Sequence, residues 1–193
     1  MPRALTLLLF GLVAAVPVDR AIAQAKPAAA PPTAAQKIAN AISAAPSSIS
    51  DKAAVMDWPA TEGGSMAALR PGTNGWTCLP DFPGTDGNDP ACMDDQWMSF
   101  MGAVLTKTPP HVTRAGVGYM SAPGGGYGSN TDPWAAKATP DNEWGFDPPH
   151  LMFLVPDPHG LDGVPTKRQS GGPWVMWAGT PYAHIMAPLA SPK

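Results

Sequence analysis

Proline and glycine interrupt this chain so often that no helix or strand can run for long. The 193 residues include 25 prolines and 20 glycines, while charged residues make up only 14%. Proline removes a backbone donor and glycine favours turns, so such a chain builds short elements joined by long irregular connections. We therefore predict an α+β domain with a small, mostly antiparallel sheet. One main helix covers this sheet, and long Pro/Gly-rich loops connect the strands.

Residues 1–23 have the pattern of a secretory signal peptide. Arg3 precedes an apolar run from Ala4 to Val16, and Ala21-Ile22-Ala23 places small residues where a signal peptidase reads the chain. The apolar run is about 13 residues long, whereas a spanning helix needs about 20. We expect cleavage before Gln24, a periplasmic or secreted protein, and no transmembrane span in the mature chain. A retained N-terminal anchor is the alternative.

The sequence after the signal peptide divides into two parts. Residues 24–46 begin as a Pro/Ala-rich spacer and continue as an Ala-rich helix, in which Thr33 and Gln36 have the spacing of a capping box. Because the helix has few large apolar residues, we expect it to dock loosely or not at all. Residues 47–193 are predicted to form a single α+β domain.

The charge of the chain limits its partners. Twelve Lys and Arg against fifteen Asp and Glu give a formal net charge of −3. Nucleic acids and anionic membranes are recognised by basic clusters, and the longest basic run here is the pair Lys167-Arg168. We therefore exclude nucleic acid as a partner and expect a small molecule or a component of the cell envelope.

Apolar spacing predicts the elements in the first half of the domain. Three short strands joined by tight turns favour an antiparallel meander, at residues 54–58, 66–70 and 76–79. Residues 94–107 form the main predicted helix. Its apolar residues recur at helical spacing from Trp97 onward, and Asp94 or Asp95 is suited to cap the first turn.

The second half contains more strands and one long connection. Strands are predicted at residues 115–121, 150–155, 174–178 and 184–186. The connection at 122–149 holds a short predicted helix capped by Asp132, and a connection of this length is often functional. It also carries Tyr127, Trp134 and Trp144, which form a candidate ligand-binding surface because aromatic rings stack on flat ligands. The alternative is that these rings fold the loop back as a small satellite cluster.

Cys78 and Cys92 are the only cysteines. In an oxidising compartment such a pair forms a disulfide, and a ring of about 15 residues contributes roughly 3 kcal/mol to stability. A redox or metal–thiolate role is the alternative. The pair lacks the C-x-x-C spacing of redox motifs, which favours the structural disulfide.

A tripeptide of the form His-aliphatic-Met occurs twice. His150 and Met152 share one strand face, as do His184 and Met186, because alternate residues of a strand project to the same side. Imidazole and thioether are suitable ligands for Cu(I), so copper handling in the periplasm is one functional hypothesis. The alternative is that the methionines are core residues and the histidines lie at strand edges.

Sequence signatures of hydrolases and nucleotide-binding proteins are absent. The chain contains no G-x-S-x-G, no P-loop and no H-E-x-x-H motif. An envelope hydrolase with His150 or His184 as base remains an alternative, since catalytic triads are assembled in space rather than in sequence. We expect a protein that is not an enzyme.

Four stretches carry a resemblance: Ala54-Val55-Met56-Asp57-Trp58 with Ile49 before it, Leu69 to Pro80 (LRPGTNGWTCLP), Asp89 to Asp94 (DPACMD) and Ser170 to Trp174 (SGGPW). Across roughly residues 41–189 the chain resembles a group of exported bacterial proteins to which no activity is assigned. The resemblance implies bacterial export and one domain, and it implies no catalytic residue, substrate or cofactor. Together with the composition, it leads us to expect a non-enzymatic binding or envelope-associated domain.

Overall fold

Regular structure in this protein is short, as its proline and glycine content predicts. The computed structural model describes residues 31–61, 63–168 and 172–189. The predicted signal peptide, residues 1–23, lies outside the described residues. From Pro32 onward, the described chain forms one compact unit.

Three α-helices and eleven strands are present in the described part of the chain. The helices are α1 (Ala34–Ile42), α2 (Ser47–Ser50) and α3 (Asp95–Thr106), and a 3-10 helix spans Pro158–Leu161. The strands are β1 (Ala54–Asp57), β2 (Ala67–Arg70), β3 (Thr77–Leu79), β4 (Gly87–Asn88), β5 (Ala91–Met93), β6 (Gly116–Met120), β7 (Gly125–Ser129), β8 (Trp144–Asp147), β9 (His150–Leu154), β10 (Trp174–Met176) and β11 (His184–Pro188).

Among the described residues, eight strands form one sheet in the order β10-β11-β9-β6-β5-β3-β1-β2. Every neighbouring pair is antiparallel except β1 and β3, which run parallel. The predicted mostly antiparallel sheet is therefore present, but it is larger than the small sheet that we expected. The predicted meander of β1, β2 and β3 is wrong, because β3 lies parallel to β1 and pairs antiparallel with β5.

Helix α3 covers one face of the large sheet, as predicted. The Asp94 side chain caps it by accepting the Trp97 backbone N–H at 2.8 Å, and Lys107 ends it in the left-handed conformation. Trp97, Phe100 and Val104 are buried in the main core, which lies between the helix and the sheet. Burying three such side chains contributes several kcal/mol to stability, at about 2 kcal/mol each.

Helix α1 packs on the opposite face of the sheet. Its predicted capping box is present, with Thr33 Oγ1 accepting the Gln36 backbone N–H and Gln36 Oε1 accepting the Thr33 N–H. Ala41 and Ala44 are fully buried in a second core that contains the disulfide. The docking is closer than predicted, because small alanine side chains let a helix approach a sheet closely.

The connection at 122–149 contains a hairpin, β7–β8, which the sequence did not predict. With β4 these strands form a separate three-stranded sheet. Gly125 has φ of +74°, and a Cβ there would collide with the Asp147 carbonyl, so this position requires glycine. The short helix predicted at Asp132 is wrong. Asp132 Oδ1 accepts the Trp134 backbone N–H at 2.9 Å, and the chain makes only a turn.

The predicted disulfide between Cys78 and Cys92 is confirmed. The two cysteines are directly opposite each other on the antiparallel strands β3 and β5, and both are fully buried. Cys92 lies two residues before the cap of α3 at Asp94. The bond therefore fixes the middle of the large sheet and, through the short β5, the start of the helix.

We expect loss of this disulfide to lower the free energy of unfolding by about 3 kcal/mol, because the unfolded chain regains the entropy of an open loop. Urea unfolding of a Cys78→Ala/Cys92→Ala variant, compared with the oxidised wild type, measures the change. Wild-type protein unfolded under reducing conditions is the matched control. A difference below about 0.5 kcal/mol would contradict the assignment of a stabilising role.

Candidate functional site

A cavity of about 270 Å³ lies between the α3-covered face of the large sheet and the small sheet of the 122–149 connection. Six of the ten methionines of the chain line it: Met93, Met101, Met120, Met152, Met176 and Met186. Four tryptophans also line it: Trp58, Trp97, Trp144 and Trp177. Its polar lining includes His150, His184, Asp89 and Asp147. Apolar walls with a few polar groups are typical of sites for small ligands.

Strand register places a row of methionines across the floor of this cavity. Met93 on β5 is opposite Gly118 on β6, and Gly118 is opposite Met152 on β9. Met152 is in turn opposite Met186 on β11. Gly118 has no side chain, and a Cβ there would lie 2.8 Å from the Met152 methyl carbon. The missing side chain leaves room for the neighbouring thioethers to meet over the sheet.

The two histidines flank this row on opposite sides. His150 is opposite Met120 and lies two residues from Met152, while His184 is opposite Met176 and lies two residues from Met186. Because His150 is opposite Pro188, the two histidines are four residues apart along the strands, about 14 Å. That distance separates the two backbones. Each imidazole nevertheless adjoins the same Met152–Met186 pair.

Both histidines have the same hydrogen-bond arrangement. His150 Nδ1 lies 2.7 Å from the Pro148 carbonyl, and His184 Nδ1 lies 3.0 Å from the Tyr182 carbonyl. A carbonyl only accepts, so in each ring Nδ1 carries the proton and Nε2 retains its lone pair. His150 Nε2 is buried and has no hydrogen-bond partner among the described residues. Fixing one ring nitrogen by a carbonyl is also how proteins orient histidines that bind metals.

Burial keeps both rings neutral at physiological pH. Loss of solvation lowers the pKa of His150 to about 4, and the same cause lowers the pKa of His184 to about 4. His184 is enclosed by aromatic rings, with ring centres 4.9 Å from Trp177, 5.1 Å from Trp97 and 6.0 Å from Phe100. A neutral imidazole whose Nδ1 carries the proton can accept a hydrogen bond or bind a metal ion through Nε2.

Two carboxyl groups on the small-sheet side of the cavity are also perturbed. Burial raises the pKa of Asp147 to about 7, although the Arg168 guanidinium, 3.2 Å away, opposes the rise. Burial and the neighbouring Asp81 carboxyl raise the pKa of Asp89 to about 6. Asp89 accepts hydrogen bonds from the Thr85 hydroxyl at 2.9 Å and the Phe82 N–H at 3.2 Å. This side of the cavity therefore carries less negative charge at neutral pH than two ordinary aspartates would.

The predicted aromatic surface of the 122–149 connection divides into two parts. Tyr127 and Trp144 line the cavity, and Tyr127 is 43% exposed, at the point where the cavity meets solvent. Trp134 is not in the cavity wall. Its indole N–H donates to the Val104 carbonyl of α3 at 2.9 Å, and its ring packs against Tyr182 at 5.1 Å. Trp134 thus attaches the connection to α3.

The cavity contains hydroxyl and carboxyl groups, but the described residues show no catalytic triad. Ser129 Oγ donates to the Asn142 carbonyl at 2.6 Å and accepts two backbone N–H groups, from Thr131 and Asp132. No hydrogen bond in the described part of the chain joins His150 or His184 to a carboxyl or hydroxyl group. Neither imidazole is therefore placed to take a proton from Ser129.

Sequence reasoning missed several residues of this cavity. Met93, Met120, Met176 and Asp147 were not singled out, because each becomes part of the site only through pairing with a strand distant in sequence. Trp174 and Met176 lie two residues apart and therefore on the same face of their strand, which is a weak local signal for Met176. No local pattern in the sequence indicated Asp147.

Comparisons with protein-family models, with curated proteins and with solved structures give no match. None of the helices in the described ranges is long and apolar enough to cross a membrane. The described residues also contain no group of three or more His, Cys, Asp or Glu side chains that could hold a metal ion. The function must therefore be argued from the cavity itself.

We expect Asp147 to make the protein less stable as pH rises. Its folded pKa is raised, so between about pH 4 and pH 7 the folded state holds a proton that the unfolded chain releases. An Asp147→Asn variant lacks this contribution and should lose less stability than the wild type between pH 5 and pH 8. Urea unfolding at both pH values measures the difference.

The matched control is Asp141→Asn, at an exposed position near the same hairpin. It should follow the wild-type pH dependence. Equal slopes for wild type and Asp147→Asn would show that Asp147 is ionised at the same pH in the folded and unfolded states, which contradicts its assigned burial.

Proposed function

We propose that this is a non-enzymatic binding protein of the bacterial envelope whose ligand is a small, largely apolar molecule held in the cavity. The observation that carries the proposal is the cavity of about 270 Å³, walled by methionines and tryptophans and containing unpaired buried polar atoms. An apolar cavity of about 150 Å³ already holds benzene, so this one has room for a bicyclic ring system.

Two buried polar atoms of residues that line the cavity indicate how the ligand is oriented. His150 Nε2 and the Trp97 indole N–H are both buried, and neither has a hydrogen-bond partner in the described structure. Leaving such a group unpaired costs about 1–3 kcal/mol. A ligand that donates to His150 Nε2 recovers part of this cost, because a neutral imidazole with Nδ1 protonated accepts only at Nε2.

Two features support the proposed location of the protein in the cell envelope. The N-terminal 23 residues have the composition of a signal peptide, and the Cys78–Cys92 disulfide is of the kind that persists outside the cytosol. The Ser129 hydroxyl already donates to the Asn142 carbonyl, and the described residues show no catalytic triad. Both observations favour binding over hydrolysis.

A panel of neutral ring compounds tests the proposal. Benzene, phenol, indole and 1-methylindole are titrated into the protein by calorimetry. We expect saturable 1:1 binding of the bicyclic compounds, with indole bound more tightly than 1-methylindole because only indole donates to His150 Nε2. No saturable binding by any member of the panel would contradict a cavity that takes small apolar ligands.

Two neighbouring alanines provide a matched pair of variants. Ala135 lines the cavity and is half-buried, whereas Ala136 is exposed and does not line it. We expect Ala135→Phe to fill part of the cavity and weaken indole binding by about tenfold, or ~1.4 kcal/mol. Ala136→Phe should leave the affinity within about twofold of the wild type. Equal effects of the two variants would place the ligand elsewhere.

A further inference from the structure

The methionines of the cavity form an unusual chemical surface beside the histidines. Five of the six lie on strands of the large sheet, and their register brings them together: Met93, Met120, Met152, Met176 and Met186. Methionine is a common filler of hydrophobic cores. A simple core, however, does not require two buried histidines beside those thioethers, one of which, His150, has an Nε2 without a hydrogen-bond partner among the described residues.

The Met152–Met186 pair is the centre of this surface. The two residues are direct cross-strand partners, with Cα atoms about 5 Å apart. His150 lies two residues before Met152 on the same face, about 7 Å along the strand. A methionine side chain has three rotatable bonds, and a cavity of about 270 Å³ lies above the pair. Two thioethers and one imidazole can therefore converge on a point above the sheet.

The chemistry of these donors selects a particular class of ion. Thioether and neutral imidazole are soft or intermediate ligands that suit Cu(I), whereas Ca²⁺ and Mg²⁺ require oxygen donors. All three donors are uncharged, so the occupied site carries the charge of the ion alone, which for Cu(I) is a single positive charge. Burying one charge in an apolar cavity costs much less than burying a divalent ion.

We propose that the sheet-facing wall of the cavity binds one Cu(I) ion through the Met152 and Met186 thioethers and His150 Nε2. His150 is assigned rather than His184 because its Nε2 is the buried ring nitrogen that has no hydrogen-bond partner among the described residues. The His184 ring is positioned by its packing against Trp97 and Trp177. This inference goes beyond the proposed function, and because both ligands use the single lone pair of His150 Nε2, Cu(I) and a hydrogen-bond donor such as indole are expected to compete for it.

Competition with a chromogenic Cu(I) chelator under ascorbate tests the site. The purified protein, with its disulfide intact, should withdraw one equivalent of Cu(I). We expect a Met152→Leu/Met186→Leu variant and a His150→Gln variant each to bind Cu(I) about tenfold more weakly or worse. Leucine conserves the volume and apolarity of methionine, so the first variant should fold and should still bind indole.

Two matched controls keep the test specific. Met56→Leu changes a methionine that does not line the cavity, and His159→Gln changes an exposed histidine. Both should bind Cu(I) as the wild type does. Ag(I), a redox-inert ion of the same soft class, should shift the methyl NMR signals of Met152 and Met186 but not that of Met56.

Three results would overturn the inference. Failure of the wild type to withdraw Cu(I) from the chelator would remove the site, as would unchanged affinity in the double leucine variant. Loss of binding in His184→Gln, with His150→Gln unaffected, would overturn the assignment of His150. Indole binding measured without copper, on the wild type and on the double leucine variant, distinguishes failure of this inference from failure of the proposed function.

Discussion

The register between β9 and β11 is the constraint on which the site depends, because it places Met152 opposite Met186 on the cavity side of the sheet. Side chains alternate between the two faces of a strand, so a slip of one residue in either strand would turn its methionine and its histidine away from the cavity. The same register extends through Gly118 to Met93. The cavity floor is therefore lined by uncharged thioether groups because of the way its strands are paired.

The rest of the fold encloses this floor and places the carboxyl groups of Asp89 and Asp147 on the side of the small sheet. Helix α3 contributes Trp97 and Met101, and the hairpin of the 122–149 connection closes the other side with Asp147. Burial keeps the histidines neutral and favours the protonated form of Asp147. A cavity built in this way accepts neutral molecules or a single soft cation, and both proposals follow from that property.

Local patterns predicted the elements better than their arrangement. The apolar stripe of α3 and the cap at Asp94 follow from residues close in sequence, and so does the shared face of His150 and Met152. The parallel pairing of β1 with β3 has no local signal, which is why the predicted meander was wrong. Strand β7 escaped prediction because its sequence, GGYGS, lacks β-branched residues and forms a strand only through pairing with β8 and β4.

The most direct test of this account is the protonation state of the two cavity histidines, measured by long-range ¹H–¹⁵N NMR at pH 6. We expect His150 and His184 both to be neutral, with the proton on Nδ1 and the lone pair on Nε2, while exposed His159 serves as the reference signal. Charged rings at this pH, or neutral rings with the proton on Nε2, would contradict it, because neither form could accept a donor or bind Cu(I) through Nε2.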